Sequence, residues 1–205
     1  MDTRSSAQDL LALTLASGAM ARLVRYFAVN PDSAPHVRAL QRITGLRPSS
    51  LKNELDRLLT LGLIVRQQDG NRVRFRVDEE NPLWAQFRTL VRQLSSPADV
   101  LPYAFGEVEG IEGAFIFGSF ANGSARDDSD VDVLVLGNDV DEPSLSRHTL
   151  EASVLLGREV NVVQATPDEF HGTGPSRRFY QRVAHEAKQW LVDRSGLARE
   201  LEFAA

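Results

Sequence analysis

Cysteine is absent from this chain of 205 residues, and no apolar run approaches the length needed to cross a bilayer. Neither a disulfide framework nor a membrane-spanning helix is therefore available to it. The four histidines, His36, His148, His171 and His185, are scattered without the spacing of a zinc site. Internal repeats and low-complexity tracts are missing too. Near the start, Asp2 and Arg4 precede the apolar stretch Leu10 to Leu15, but Thr14, Ser17 and Gly18 interrupt the pattern and no cleavage site stands out. A secretory leader is not expected, and the cytoplasm is the expected location.

What the sequence does have is a reversal of charge along its length. The formal net charge of -5 divides unevenly: residues 1–96 carry 14 Lys or Arg against 9 Asp or Glu, whereas residues 97–205 carry 9 against 19. The first part is basic by five charges and suits a polyanion partner, while the second is acidic by ten and suits a cation site and a solvated surface. The sign changes at Ser95-Ser96-Pro97, the one polar, proline-marked break between two patterned regions. A domain boundary is expected there, with domains over 1–95 and 97–205.

The acidic part is organised around the stretch Gly118 to Leu136. An apolar run, Ala114 to Phe117, stops at Gly118-Ser119; Gly123 follows, then Ser129-Asp130-Val131-Asp132, which leads into a second apolar run. This reads as strand, turn, strand. Asp130 and Asp132 are two apart, so an extended chain projects both carboxylates from one face, with Cα atoms roughly 7 Å apart. Val131, Val133 and Val135 point the other way. Two carboxylates so placed repel each other unless a hard cation such as Mg2+ lies between them. Gly118 and Gly123 permit close approach to the main chain, and amides opening a helical turn after Ser119 suit phosphate.

A Gly-Ser pair followed by Asp-x-Asp at this spacing resembles the nucleotidyltransferase superfamily of DNA polymerase β and kanamycin nucleotidyltransferase, most closely its minimal branch. The resemblance implies that Gly118, Ser119, Gly123 and Ser129 contact a nucleotide, that Asp130 and Asp132 hold Mg2+, and that ATP or another nucleoside triphosphate is ligand or substrate. It also implies a third carboxylate on a later strand, in a sequence of the form Val-Asp-Val-Val. This chain reads Val160-Asn161-Val162-Val163 there. Asn161 offers an oxygen to a cation but cannot take a proton at neutral pH. Glu159, two residues earlier, shares its face in an extended chain but is displaced by roughly 7 Å at the backbone.

Around the motif the pattern predicts a helix over 98–108, strands over 113–117 and 159–164, and a helix over 144–156. A final helix is expected from Pro175 to Asp193, with Phe179, Val183, Ala187, Trp190 and Leu191 inward and Arg177, Arg178, Arg182 and Lys188 outward.

In the basic part, apolar residues at helical spacing predict one long helix from Gln8 to Val29, stopped by Asn30-Pro31. Pro35 opens a second helix closed by Thr44-Gly45, and Pro48-Ser49-Ser50 opens a third, striped by Leu51, Leu55, Leu58 and Leu59. Leu63–Arg66 and Arg72–Val77 flank a turn containing Asp69-Gly70-Asn71 and predict a hairpin with Arg72, Arg74 and Arg76 on one face. A helix from Pro82 to Leu94 closes the region. Three helices and such a hairpin resemble a winged helix-turn-helix domain. That resemblance implies contacts to double-stranded DNA from Ser49, Ser50, Lys52, Asn53 and Arg57 on the third helix, and from Arg47, Arg72, Arg74 and Arg76 to phosphate. It also implies a homodimer, for which the first helix offers a surface.

The fold class expected is mixed α/β: a winged helix, then an α+β nucleotidyltransferase-like domain with a small mixed sheet. The function expected is a DNA-binding transcriptional regulator whose second domain binds nucleotide and Mg2+ with reduced or lost catalysis. The alternative is an active enzyme that transfers AMP from ATP to a hydroxyl of a protein, such as a partner toxin, or of a small molecule such as an antibiotic. Asn161 separates the two.

Overall fold

A computed structural model describes residues 9–172 and 176–199. The chain divides into two compact units, Met1–Ser96 and Pro97–Ala205.

The first unit runs α1 (Leu10–Thr14), α2 (Gly18–Val29), α3 (Val37–Thr44), α4 (Pro48–Thr60), β1 (Ile64–Asp69), β2 (Arg72–Val77) and α5 (Leu83–Leu94). The long first helix expected from the sequence is instead two helices, and Gln8 lies outside the described residues. The break has a local cause. Ala16 takes a left-handed φ of 52°, Ser17 is extended, and the Ser17 hydroxyl accepts from the Met20 N–H to start α2. The same hydroxyl donates to Glu54 Oε1 on α4 at 2.6 Å, so the cap is locked from both sides.

Apolar residues line much of α2 because the helix is central. Leu23, Val24, Tyr26, Phe27 and Val29 are all buried, and α2 packs on α1, α3, α4 and α5. The first helix, expected to offer a surface for self-association, is thus largely used inside the unit: Leu11 is buried, and Leu13 stays exposed. Arg25, though buried on α2, is met by a bidentate bond to Asp9 at 2.7 and 2.9 Å and by the Ser95 hydroxyl.

β1 and β2 pair in antiparallel register with Asp69 opposite Arg72, leaving a two-residue turn at Gly70-Asn71, where Gly70 takes a φ of 57°. A bridge between His36 and Arg74 ties the hairpin to the start of α3. The Trp84 indole N–H donates to the Leu63 carbonyl and docks α5 on the base of β1.

The second unit runs α6 (Pro97–Phe105), β3 (Gly113–Phe117), α7 (Ser119–Asn122), β4 (Val131–Leu136), α8 (Glu142–Leu156), β5 (Val160–Ala165), α9 (Pro167–His171), α10 (Arg177–His185) and β6 (Gln189–Asp193). The strands form one mixed sheet in the order β5-β4-β3-β6, with β4 antiparallel to β3 and parallel to β5. Every residue of β3 is buried, and in β4 only Asp132 is not. The sheet is therefore covered on both faces, which is why both strands read as continuous apolar runs. On the Asp132 face, Phe115, Phe117, Leu134, Leu136 and Ala165 pack with Phe170, Tyr180 and Val183 from α9 and α10.

The helix expected through Asp193 ends at His185, and Gln189–Asp193 is strand β6 on the free edge of β3; Pro175 lies outside the described residues. Trp190 and Leu191 fit either period over so short a run. The outcome is decided by pairing with β3, which sets the Trp190 ring 5.0 Å from that of Phe115. Lys188, expected on an outer helical face, instead curls back to donate to the carbonyls of Ala184 and Glu186.

Candidate functional site

The site begins at the end of β3. Gly118 has φ 71° and ψ -142°, a conformation open in practice to glycine alone, and it turns the chain directly into the single helical turn α7. Ser119 therefore opens a helical turn. Its carbonyl accepts from the amides of Ser124 and Ala125, and Gly123 ends the turn in the left-handed region. The Asn122 carboxamide oxygen accepts from both the amide and the hydroxyl of Ser124.

The chain then loops to β4. Ser129 Oγ accepts from the Arg126 amide at 2.8 Å, so this hydroxyl shapes the turn that presents Asp130. Asp130 is exposed at the mouth of β4, and Asp132 is half-buried one pleat further in. Register sets the neighbours of Asp132: Phe117 lies opposite it on β3 and Asn161 on β5. A Cβ on Gly118 would sit 3.1 Å from Asp132 Oδ2, so the glycine turn and the carboxylate are in near contact.

Electrostatics follow from this crowding. Burial first, and the charge of Asp130 second, push the Asp132 carboxyl above its usual range, while a hydrogen bond from Asn161 works in the opposite direction. Asp130 and Asp132 thus feel each other as the sequence spacing implies, and Asn161 is the third side chain at the same point. Glu159 does not join them. It is exposed, and with Leu145, Thr149, Val160 and Val162 it borders a groove of about 560 Å3 between α8 and β5.

The fit to a divalent cation rests on this donor set. Two carboxylates, one of them destabilised by the other, plus an amide oxygen suit Mg2+ completed by water and phosphate oxygens, because Mg2+ commonly uses only one or two protein carboxylates beside a triphosphate. Among the described residues, no group of three or more His, Asp or Glu side chains gathers as a self-sufficient metal cage.

Sequence reasoning missed Arg158 and Gln189. Arg158 Nη1 donates to the carbonyls of Arg126, Asp127 and Ser129, and its guanidinium lies over the Phe120 ring. The Gln189 amide donates to the Phe120 carbonyl at 3.3 Å, tying β6 to α7. Both act across more than 25 residues of sequence, and no local spacing reveals them.

In the first unit, Arg47, Ser49, Lys52, Asn53, Arg57, Arg72 and Arg76 are exposed and Ser50 is half-buried. Two of the expected cationic contacts already have partners: Arg57 pairs with Glu54 at 2.7 Å, and Arg74 pairs with Asp69 at 2.6 Å while donating to the Ala34 carbonyl.

Comparison with known proteins supports the nucleotidyltransferase-like character of the second unit. The family model described as Polymerase beta, Nucleotidyltransferase matches residues 103–171, from within α6 to the end of α9. No curated protein matches the chain. A solved structure described as "Crystal structure of the toxin-antitoxin with AMP-PNP" aligns at 16% identity and a TM-score of 0.35, covering 58% of this chain and 81% of that chain. Among the described residues, no helix is long and apolar enough to cross a membrane.

Proposed function

We propose that the second unit binds a nucleoside triphosphate with Mg2+ and transfers the nucleoside monophosphate, AMP foremost, to a hydroxyl of a protein or small molecule. The observation that carries this reading is the close approach of Gly118 to Asp132, with Asp130 and Asn161 at the same point. Amides at the start of α7 face the triphosphate, and Gly118 keeps the space beside the carboxylate open. When bound, Mg2+ offsets charge on the triphosphate and on the departing pyrophosphate. The acceptor oxygen forms a bond to the α-phosphorus as the bond to pyrophosphate breaks, and the acceptor's proton is given up to water.

That last step is where this chain departs from a three-carboxylate site. Asn161 stands beside Asp132 across the ladder and favours its charged form but takes no proton. Loss of a positioned base costs on the order of a hundredfold or more, so turnover is slow and Asn161→Asp should raise it. The assay is transfer of label from α-labelled ATP to candidate acceptors. Label transfer by the natural chain that disappears in Asp130→Ala supports enzymatic function; no transfer even by Asn161→Asp rejects it.

A second reading concerns the first unit. Helices α2 to α4, the hairpin and exposed Arg47, Lys52, Asn53, Arg72 and Arg76 favour a winged helix on double-stranded DNA, with α4 in the major groove and the hairpin on phosphate. In that reading the nucleotide is a signal and the chain a cytoplasmic, dimeric regulator, which requires ligand affinity to differ between DNA-bound and free states. A partner toxin suits the enzymatic reading as acceptor.

A further inference from the structure

Asp127, Asp128, Asp130 and Asp132 stand within six residues, and mutual repulsion should spread a loop so charged. Yet the loop is held: Ser129 Oγ closes it from within on the Arg126 amide, and one side chain, that of Arg158, holds it from another element. Arg158 follows the left-handed Gly157 that caps α8, and its own amide is fixed by the Ser153 carbonyl at 3.2 Å. From this stem at the α8–β5 junction, Nη1 reaches the carbonyls of Arg126, Asp127 and Ser129 at 3.2, 2.8 and 3.2 Å. The guanidinium carbon lies over the Phe120 ring on α7, 5.4 Å from its centre. Among the described residues the guanidinium forms no ion pair with the aspartates above it; it takes backbone oxygens and leaves the carboxylates clear.

We infer that Arg158 is the positioning residue of the carboxylate pair: it links α7, the 126–129 turn and the start of β5, and so sets where Asp130 stands relative to Asp132. Asp132 is fixed by β4 pairing on both sides, whereas Asp130 precedes the strand and depends on the turn. A guanidinium suits this role because its planar fork accommodates several carbonyls and stacks on an aromatic ring at the same time. The inference rests on the metal-site reading given above, and its test separates the two.

Two measurements are made on the full chain and on Arg158→Ala, Arg158→Lys and Asp130→Asn. Trypsin cleavage after Arg126, followed by mass spectrometry, reports the turn without any ligand. Arg158→Ala should speed it about tenfold or more, with Arg158→Lys between, if the turn opens locally. Mn2+ affinity, from the free-ion electron paramagnetic resonance signal, should fall about tenfold in Arg158→Ala and by less than about twofold when Arg158→Ala is added to Asp130→Asn, since the first change acts through the second residue. Fully additive losses, unchanged cleavage, or unchanged Mn2+ binding in a folded Arg158→Ala chain overturn the positioning role alone. A natural chain that binds no Mn2+ overturns the metal site itself and this role with it, even if cleavage quickens.

Discussion

Replacing Gly118 by alanine tests the site where backbone and chemistry meet, and Gly123→Ala is its control. Both glycines have positive φ, 71° and 77°, so both substitutions strain the backbone. Gly123 sits in the ordinary left-handed region with ψ 13° and nothing within 4 Å of an added Cβ. Its alanine costs about 1–2 kcal/mol in conformation, offset by about 0.4–1 kcal/mol of lost unfolded-state freedom. Gly118, at ψ -142°, is in a region other residues scarcely visit, costing about 1–3 kcal/mol before the same offset. In addition its new methyl meets Asp132 Oδ2 at 3.1 Å, so the carboxylate must shift by a few tenths of an ångström or rotate. The expected outcome is a net loss of up to about 1.6 kcal/mol for Gly123→Ala and a larger one for Gly118→Ala, up to about 2.6 kcal/mol before its contact with Asp132 adds to it. Mg2+-dependent binding of a non-hydrolysable ATP analogue should weaken about tenfold in Gly118→Ala only. Stability is read by urea denaturation with Trp190 fluorescence, in a Trp84→Phe background so that the signal comes from the second unit alone; binding is read by calorimetry. Equal effects of the two alanines on both quantities would refute the claim that the approach of Gly118 to Asp132 shapes the site.

Three further outcomes are expected. The Asp132 carboxyl is raised in the fold, so its ionisation opposes folding: stability is highest below the unfolded carboxyl range and declines as pH rises through the folded value. Asp132→Asn should therefore raise the unfolding midpoint at pH 7 in metal-free buffer and lose that advantage near pH 3, by calorimetric scans at both. His148 is buried on α8, and burial, then Arg147, lowers its pKa to about 4, so stability is full above pH 6.5 and falls between there and about 4. His148→Phe should flatten that acid limb in urea titrations between pH 6.5 and about 4. On DNA, Arg72→Ala with Arg76→Ala should lower the slope of log affinity against log salt by about two in fluorescence anisotropy, while Arg74→Ala, already paired with Asp69, should change it little.

The elements legible in the sequence are those whose period and punctuation agree. α4 starts at Pro48 as its Pro-Ser-Ser signal implies, and β3 spans Gly113–Phe117 as its apolar run implies. The Asp-x-Asp geometry was equally readable, because a strand's period of two leaves no other face for Asp132. Three things were not readable. The break at Ala16-Ser17 turns on a left-handed alanine, a conformation no apolar period signals, and the serine cap that follows it is held in addition by Glu54, 37 residues away. β6 exists because β3 had an open edge, and nothing in Gln189–Asp193 alone says so. Arg158 looks like any residue after a helix-ending glycine until the turn at Arg126–Ser129 folds against it.

The parallel pairing of β4 with β5 has a consequence for how such a chain could change over generations. Asp132 is anchored on an interior strand, but its partner across the ladder, Asn161, belongs to the outermost strand of the sheet and is only half-covered. An amide and an acid are nearly the same size there, so one nucleotide change in a codon can toggle a proton acceptor while the architecture stays as it is. Under the proposed function, chemistry and scaffold are uncoupled at that one rung, and a lineage passes between catalyst and receptor without crossing an unfolded ancestor.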